Sequence, residues 1–175
     1  MADGAARWRP ARLDDVARIA RLSNSIHSLF PEREEVFADK IRLSPAGCHV
    51  LETGGGIVGY ILSHPWRRRS PAALDSLLGG LPADADCWYI HDLGMGAEAR
   101  GTGAATEIAG RIARAAEREG YPVVALVAVA GADGYWRRLG FREVAADGLA
   151  AKLREYGADA VYMELPLAAD GDRRA

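Results

Sequence analysis

The chain has 175 residues, of which 49% are hydrophobic and 26% charged, and its net charge is −2. That size and balance fit one soluble globular domain, and so small a charge gives nucleic acid no electrostatic footprint. No apolar run reaches the ~18 residues of a membrane span, and Met1 to Pro10 contains no signal-peptide core. The expectation is a cytoplasmic protein that binds neither nucleic acid nor membrane. Cys48 and Cys87 lack metal-type spacing and sit in apolar runs, so they read as buried free thiols and no metal is expected. Arg67-Arg68-Arg69 reads as a solvated loop.

A single domain is expected over residues 1–168, with a frayed tail over 169–175. Arg7-Trp8-Arg9 is a short strand ended by Pro10. Helical spacing of Leu13, Val16, Ile19, Ala20 and Leu22 predicts a helix over 13–29. A second helix is predicted from Pro31, a residue suited to a first helical position, to Leu43, with Pro45 as its stop. Cys48–Thr53 and Ile57–Ser63 form a hairpin around Gly54-Gly55-Gly56, and His64-Pro65-Trp66 ends it. Residues 67–86 are too long for a plain hairpin loop, and Pro71–Leu78 is a candidate short helix within them.

Cys87–Met95 reads as a strand, followed by a Gly-rich turn and a helix over Ala104–Glu119 capped by Gly120. Tyr121–Val129 is almost purely apolar, as in a strand buried on both faces. A short helix over Asp133–Leu139 ends at Gly140, and Phe141–Val144 and Val161–Leu167 are the last strands. The order is α+β with one strand–turn–helix–strand unit at its centre.

That central turn, Arg100-Gly101-Thr102-Gly103-Ala104-Ala105, carries the chemistry. Gly101 and Gly103 let a ligand approach the backbone, and the turn opens into a helix N-terminus, whose free N–H groups and dipole favour phosphate. Arg100 adds a fixed charge. A plain turn is the competing reading. No Gly-Lys-Ser/Thr follows, so it is not a P-loop, and it is a poor dinucleotide fingerprint.

The turn fits the Arg/Gln-x-x-Gly-x-Gly/Ala motif of the GCN5-related N-acetyltransferases (GNAT). Trp136-Arg137-Arg138-Leu139-Gly140-Phe141 resembles the aromatic-x-x-x-Gly-Phe ending of that family's last helix. The resemblance covers Trp8 to Leu167. It implies a mixed, mostly antiparallel sheet splayed between strands 4 and 5 and flanked by about four helices. It also implies that acetyl-CoA lies in the splay, its pantetheine on the backbone of Leu93, Gly94 and Met95 and its pyrophosphate on the amides of Gly101, Thr102, Gly103, Ala104 and Ala105. Tyr135, Trp136 and Arg138 fall on the same cofactor side. Glycine at 94 and 96 fits a backbone used as a ligand surface, or simply relieves strand packing. A homodimer is also implied.

The implied reaction is direct attack of an amine on the thioester, which needs a proton acceptor, an oxyanion donor such as the N–H near Met95, and in some members an acid for the thiolate. Strand alternation puts Tyr89, His91, Leu93 and Met95 on one face and Trp88, Ile90 and Asp92 on the other. His91 matches a proton-relay histidine of the arylalkylamine acetyltransferases, and a structural histidine is its bland reading. Asp92 is the other candidate base or ammonium binder. The family's acid tyrosine is replaced by Trp136, which leaves a reoriented Tyr135, Tyr89, or no acid at all. Ala130-Gly131-Ala132 stands where an Asn is often found.

The first two helices and residues 67–86 are expected to set specificity. Phe30, Tyr60 and Trp66, with Leu29, are candidate acceptor contacts. Glu32, Glu34 and Glu35 either attract the amine or form a solvated helix face. The resulting expectation is acetyl transfer to a small-molecule primary amine. A peptide or protein acceptor is the runner-up, and a CoA-binding sensor without turnover is the reading from another class.

Overall fold

The computed structural model describes residues 5–168. The expected frayed tail over 169–175 lies outside the described residues. Seven strands form one sheet in the order β1-β2-β3-β4-β5-β7-β6. They are β1 (Arg7–Pro10), β2 (His49–Thr53), β3 (Gly56–Trp66), β4 (Cys87–Met95), β5 (Val123–Ala128), β6 (Arg142–Glu143) and β7 (Val161–Pro166). The helices are α1 (Val16–Ile26), α2 (Glu34–Leu43), α3 (Ala104–Arg118), α4 (Asp133–Arg138) and α5 (Leu149–Leu153). All strand pairs are antiparallel except β4 with β5.

α3 lays its apolar stripe, Ile108, Ala109, Ile112 and Ala116, on one face of the sheet against Trp88, Ile90, Val124 and Leu126. α1 and α2 cover the β1–β3 half of the other face, over Val50, Tyr60 and Leu62. Ala72 and Leu149 cover the rest of that face, over Cys87, Tyr89, Ala125 and Tyr162. Cys48 and Cys87 are buried and unbonded. No helix among the described residues is long and apolar enough to cross a membrane.

Several expectations need correction. The first helix stops at Ile26, because His27 leaves helical geometry (φ −109°, ψ 51°). The second begins at Glu34, not Pro31: Asn24 clamps the backbone of Glu32 from both sides, accepting from its N–H at 3.1 Å and donating to its carbonyl at 3.4 Å, and Arg33 is extended. β3 continues through His64-Pro65-Trp66. Its pairing with β2 ends at Ile61, so the N–H missing from Pro65 breaks no ladder on that side.

Pro71–Leu78 is no helix. Left-handed Asp75 (φ 47°) breaks the helical path. Side chains from α2 and its N-terminal flank strap the segment down instead: Asp39 accepts from the Leu78 N–H at 2.7 Å, Lys40 Nζ donates to the Ser76 carbonyl at 3.3 Å, and Arg33 pairs with Asp75 at 2.9 Å. α5 was not foreseen, so five α-helices flank the sheet among the described residues.

The correction that matters most is in β4. The β3–β4 register shifts so that Asp92 faces Leu62 and Ile90 faces Ser63, leaving His91 as an extra residue in a β-bulge. The bulge resets the alternation. Leu93 and Met95 join Trp88 and Ile90 on the α3 face, while His91 and Asp92 both turn toward the opposite face.

Candidate active site

β4 and β5 pair only from Trp88–Ile90 to Val124–Leu126. Beyond the bulge β4 follows β3 and β5 follows β7, so the two strands part. A cavity of about 540 Å³ fills the gap. Leu93, Leu126, Val127, Ala128 and Val129 wall its middle, Arg100, Ala130, Ala132 and Trp136 one end, and Ile26, His27, Phe30, Glu32, Leu74, His91, Asp92 and Tyr156 the other.

The Gly-rich turn lies beside the first end. Gly101 (φ 74°) and Gly103 (φ 86°) are left-handed, and a side chain at either would project into open space. Among the described residues, none accepts a hydrogen bond from the amides of Gly101, Thr102 or Gly103. Thr102 Oγ1 ties the turn to the Ala99 carbonyl at 2.8 Å, and the Trp8 indole N–H donates to the Ala104 carbonyl at 3.0 Å, pinning the start of α3 to β1. An anchored turn with free amides at the head of a 15-residue helix is chemically suited to a phosphate.

The strand edge beside it is half of what the sequence suggested. The Gly96 N–H donates to the Val58 carbonyl on β3, while the Met95 carbonyl instead accepts from Arg100 Nε at 3.2 Å. By alternation, Leu93 and Met95 turn their backbone groups into the gap and Gly94 turns its own into the ladder. Gly94 has a packing cause: a Cβ there would lie 2.2 Å from the Tyr60 ring. Of the residues assigned to the cofactor side, Trp136 lines the cavity and stacks edge-on with Phe141 at 5.1 Å. Arg138 is exposed, with its guanidinium 6.0 Å from the Tyr135 ring centre.

At the far end two carboxylates each meet an imidazole. His91 Nε2 lies 3.7 Å from Glu32 Oε1, and both side chains are nearly sealed from solvent. Burial drives the His91 pKa below its usual value, against the pull of Glu32. Burial would raise the Glu32 carboxyl, but His91, the Asp75 N–H donating at 2.8 Å and nearby Lys40 outweigh it and hold Glu32 down at about 2. The site therefore holds a carboxylate beside a neutral imidazole. Asp92 accepts from the Tyr60 hydroxyl and from Ser23, and its Oδ1 lies 3.2 Å from His27 Nε2. That carboxylate raises the His27 pKa.

Behind His91 stands His64, fully buried, its ring centre 5.9 Å from that of His91. Its Nδ1 faces the Pro65 carbonyl at 3.0 Å and its Nε2 has no partner. Burial and the neighbouring His91 push its pKa down to about 3.

The remaining candidates lie off the cavity. Tyr60 is fully buried under the site and reaches it only through Asp92. Trp66 spends its indole N–H on the Ser70 carbonyl. The Tyr135 hydroxyl faces Thr106 Oγ1 at 3.2 Å, on α3, and Tyr89 is sealed in the core. Tyr156, from the segment after α5, is the only tyrosine among the described residues that line the cavity, and its hydroxyl donates to the Ala72 carbonyl.

The family model described as the acetyltransferase (GNAT) family matches residues 13–141, about three-quarters of the chain. The chain belongs to that family. No curated protein sequence matches it significantly. Its fold is shared by the N-acetylglutamate synthase of Neisseria gonorrhoeae, solved with coenzyme A and N-acetylglutamate (TM-score 0.71, 17% identity, 95% of this chain and 36% of that longer one). It is shared equally by the ribosomal-protein-S18-alanine N-acetyltransferase of Escherichia coli (0.66, 14%, 97% and 99%) and by GphF, a GNAT-like decarboxylase solved with isobutyryl-CoA (0.73, 17%, 93% and 100%). Neighbours thus act on a small molecule, on a protein and in another reaction, so the acceptor has to be argued from the acetyltransferase's own residues.

His27 and Tyr156, which line the cavity, were missed, and Glu32 was weighed only as one of three glutamates that could attract the amine. Nothing local marks His27 or Tyr156. Glu32 was grouped with Glu34 and Glu35, which are exposed at the head of α2, whereas Glu32 is buried before the helix starts.

Proposed function

We propose that the chain transfers the acetyl group of acetyl-CoA directly to a primary amine on a small molecule. The observation that carries this reading is the continuous cavity. One end is lined by Arg100, the residue that leads into the Gly101–Gly103 turn, and the other ends on a buried acid–imidazole cluster. The free amides and the head of α3 would hold the pyrophosphate, and the gap-facing edges of Leu93 and Met95 the pantetheine. Bound there, acetyl-CoA supplies the activated acyl carbon.

Asp92 is suited to receiving the ammonium, since its carboxylate stands at the cavity wall. His91 serves as proton acceptor, because burial keeps it neutral and Glu32 is placed to stabilise the imidazolium that results. The ammonium first gives one proton to His91, which frees the nitrogen lone pair; as the C–N bond forms and the C–S bond breaks, the second nitrogen proton goes to the departing CoA sulfur, leaving N-acetylated amine, free CoA thiol and protonated His91. The gap-facing Met95 N–H is the oxyanion donor. Tyr135 and Tyr89 are ill placed as acids, and the Tyr156 proton is already committed to the Ala72 carbonyl, so the thiolate leaves without a dedicated acid. A neutral His91 is needed, so activity should decline as pH falls through a value below 6.5.

The test is thiol release from acetyl-CoA with a panel of primary amines. Acceptor-dependent release that His91→Ala reduces at all pH values supports the reading. Full activity of His91→Ala at every pH refutes the base assignment.

A further inference from the structure

We infer that the acceptor end of the cavity is a charge filter: it takes an amine on an apolar body and rejects one that carries a carboxylate beside the amine, as a free amino acid does. The inference rests on the amine-transfer reading and narrows its substrate class.

The charged groups at that end are unbalanced. Two carboxylates, Glu32 and Asp92, line it. Of its two imidazoles, His91 is kept neutral by burial, and any charge on His27 is already matched by Asp92 at 3.2 Å. Among the described residues lining the cavity, Arg100 is the only arginine or lysine, and it sits at the cofactor end with its Nε on the Met95 carbonyl. Lys40 lies near Glu32, but it is fully buried and its ammonium donates inward to the Val36 and Ser76 carbonyls. Arg33 is held outside by Asp75.

A carboxylate one carbon from the reacting nitrogen would therefore be desolvated beside the Glu32 and Asp92 carboxylates, with no unpaired cation at that end to meet it. An apolar body meets different surroundings. Ile26, Phe30 and Leu74 line the same end, and the Phe30 ring stays 43% exposed, open to a partner. The ammonium falls to the acidic floor and the hydrocarbon to these three side chains.

The experiment compares matched acceptors with the full chain and acetyl-CoA, read as kcat/KM from thiol release: phenethylamine with phenylalanine, isopentylamine with leucine, and phenylalanine amide as a control for bulk without charge. The expected result is that each amine exceeds its amino acid by at least about 100-fold, with the amide within about tenfold of phenethylamine. Equal or faster turnover of the amino acids overturns the filter and leaves amine transfer standing. An amide as poor as the acid overturns it too, because bulk and not charge would then decide. If no compound is turned over, the amine-transfer reading fails, and the filter with it.

Discussion

His64 should make the protein acid-sensitive well above the pH at which its carboxylates protonate. It is fully buried, its Nε2 has no partner, and its pKa is depressed to about 3. The unfolded chain restores an ordinary imidazole at 6.5. As pH falls below 6.5 the unfolded state takes up a proton that the folded state refuses, so stability drops by about 1.4 kcal/mol per unit. Between pH 7 and pH 5 this single group removes about 2 kcal/mol, and the loss continues down to the folded value. The depressed values of His91 and His49 add in the same direction. His27, raised by Asp92, works oppositely: its contribution is full below 6.5 and is lost as pH rises through its folded pKa.

His64→Phe keeps a ring between Trp66, Tyr89 and His91 but cannot titrate. Urea unfolding at pH 7 and at pH 5, for both proteins, gives the double difference. The variant should lose about 2 kcal/mol less than wild type over that interval, whatever its absolute stability. Equal losses in the two proteins would refute the buried, neutral His64 on which the description of the site depends.

The same geometry makes further predictions. Gly103→Val should weaken acetyl-CoA binding by tenfold or more, of order 1.4 kcal/mol by calorimetry, because φ 86° is costly for a branched residue. Gly120→Val (φ 82°, at the other end of α3) should strain the helix similarly and leave that affinity unchanged. Asp92→Asn removes the carboxylate that meets Tyr60 and His27, and kcat/KM for the amine should fall by about 10²–10³ with acetyl-CoA affinity retained. Tyr135→Phe should keep its rate within about twofold, since that hydroxyl faces Thr106 and not the cavity; a loss of about 100-fold would make Tyr135 the missing acid.

The Gly-rich turn and the order of strands were legible because they rest on local causes. The two glycines of the turn stand out in the sequence and both are left-handed in the structure, and the apolar run around Val123–Ala128 announces a central strand. The face that brings His91 and Asp92 together was not legible, because it depends on a bulge. Nothing in Ile90-His91-Asp92 signals that His91 is left unpaired against β3, yet that one residue moves Leu93 and Met95 to the α3 side and brings Asp92 onto the same face as His91, against Ser23 of α1. The acceptor wall was hidden for a related reason. His27 and Glu32 come from the stretch between α1 and α2, Leu74 from the segment after β3 and Tyr156 from the turn after α5, brought together by ties such as Asn24 to Glu32 and Tyr156 to Ala72. Gly94 had two readings, a ligand surface or relief of strand packing, and the Tyr60 ring supports the second.

In the proposed reaction the glycine-turn end and the acid–imidazole end of one cavity work together in a single transfer. Mass spectrometry of the full chain incubated with acetyl-CoA and phenethylamine or isopentylamine reads that cooperation. N-acetylated amine should form in step with free CoA, and neither product in appreciable amount without the acceptor. Saturable binding of acetyl-CoA with no acetylated amine from any primary amine would contradict it and leave a CoA-binding protein without turnover.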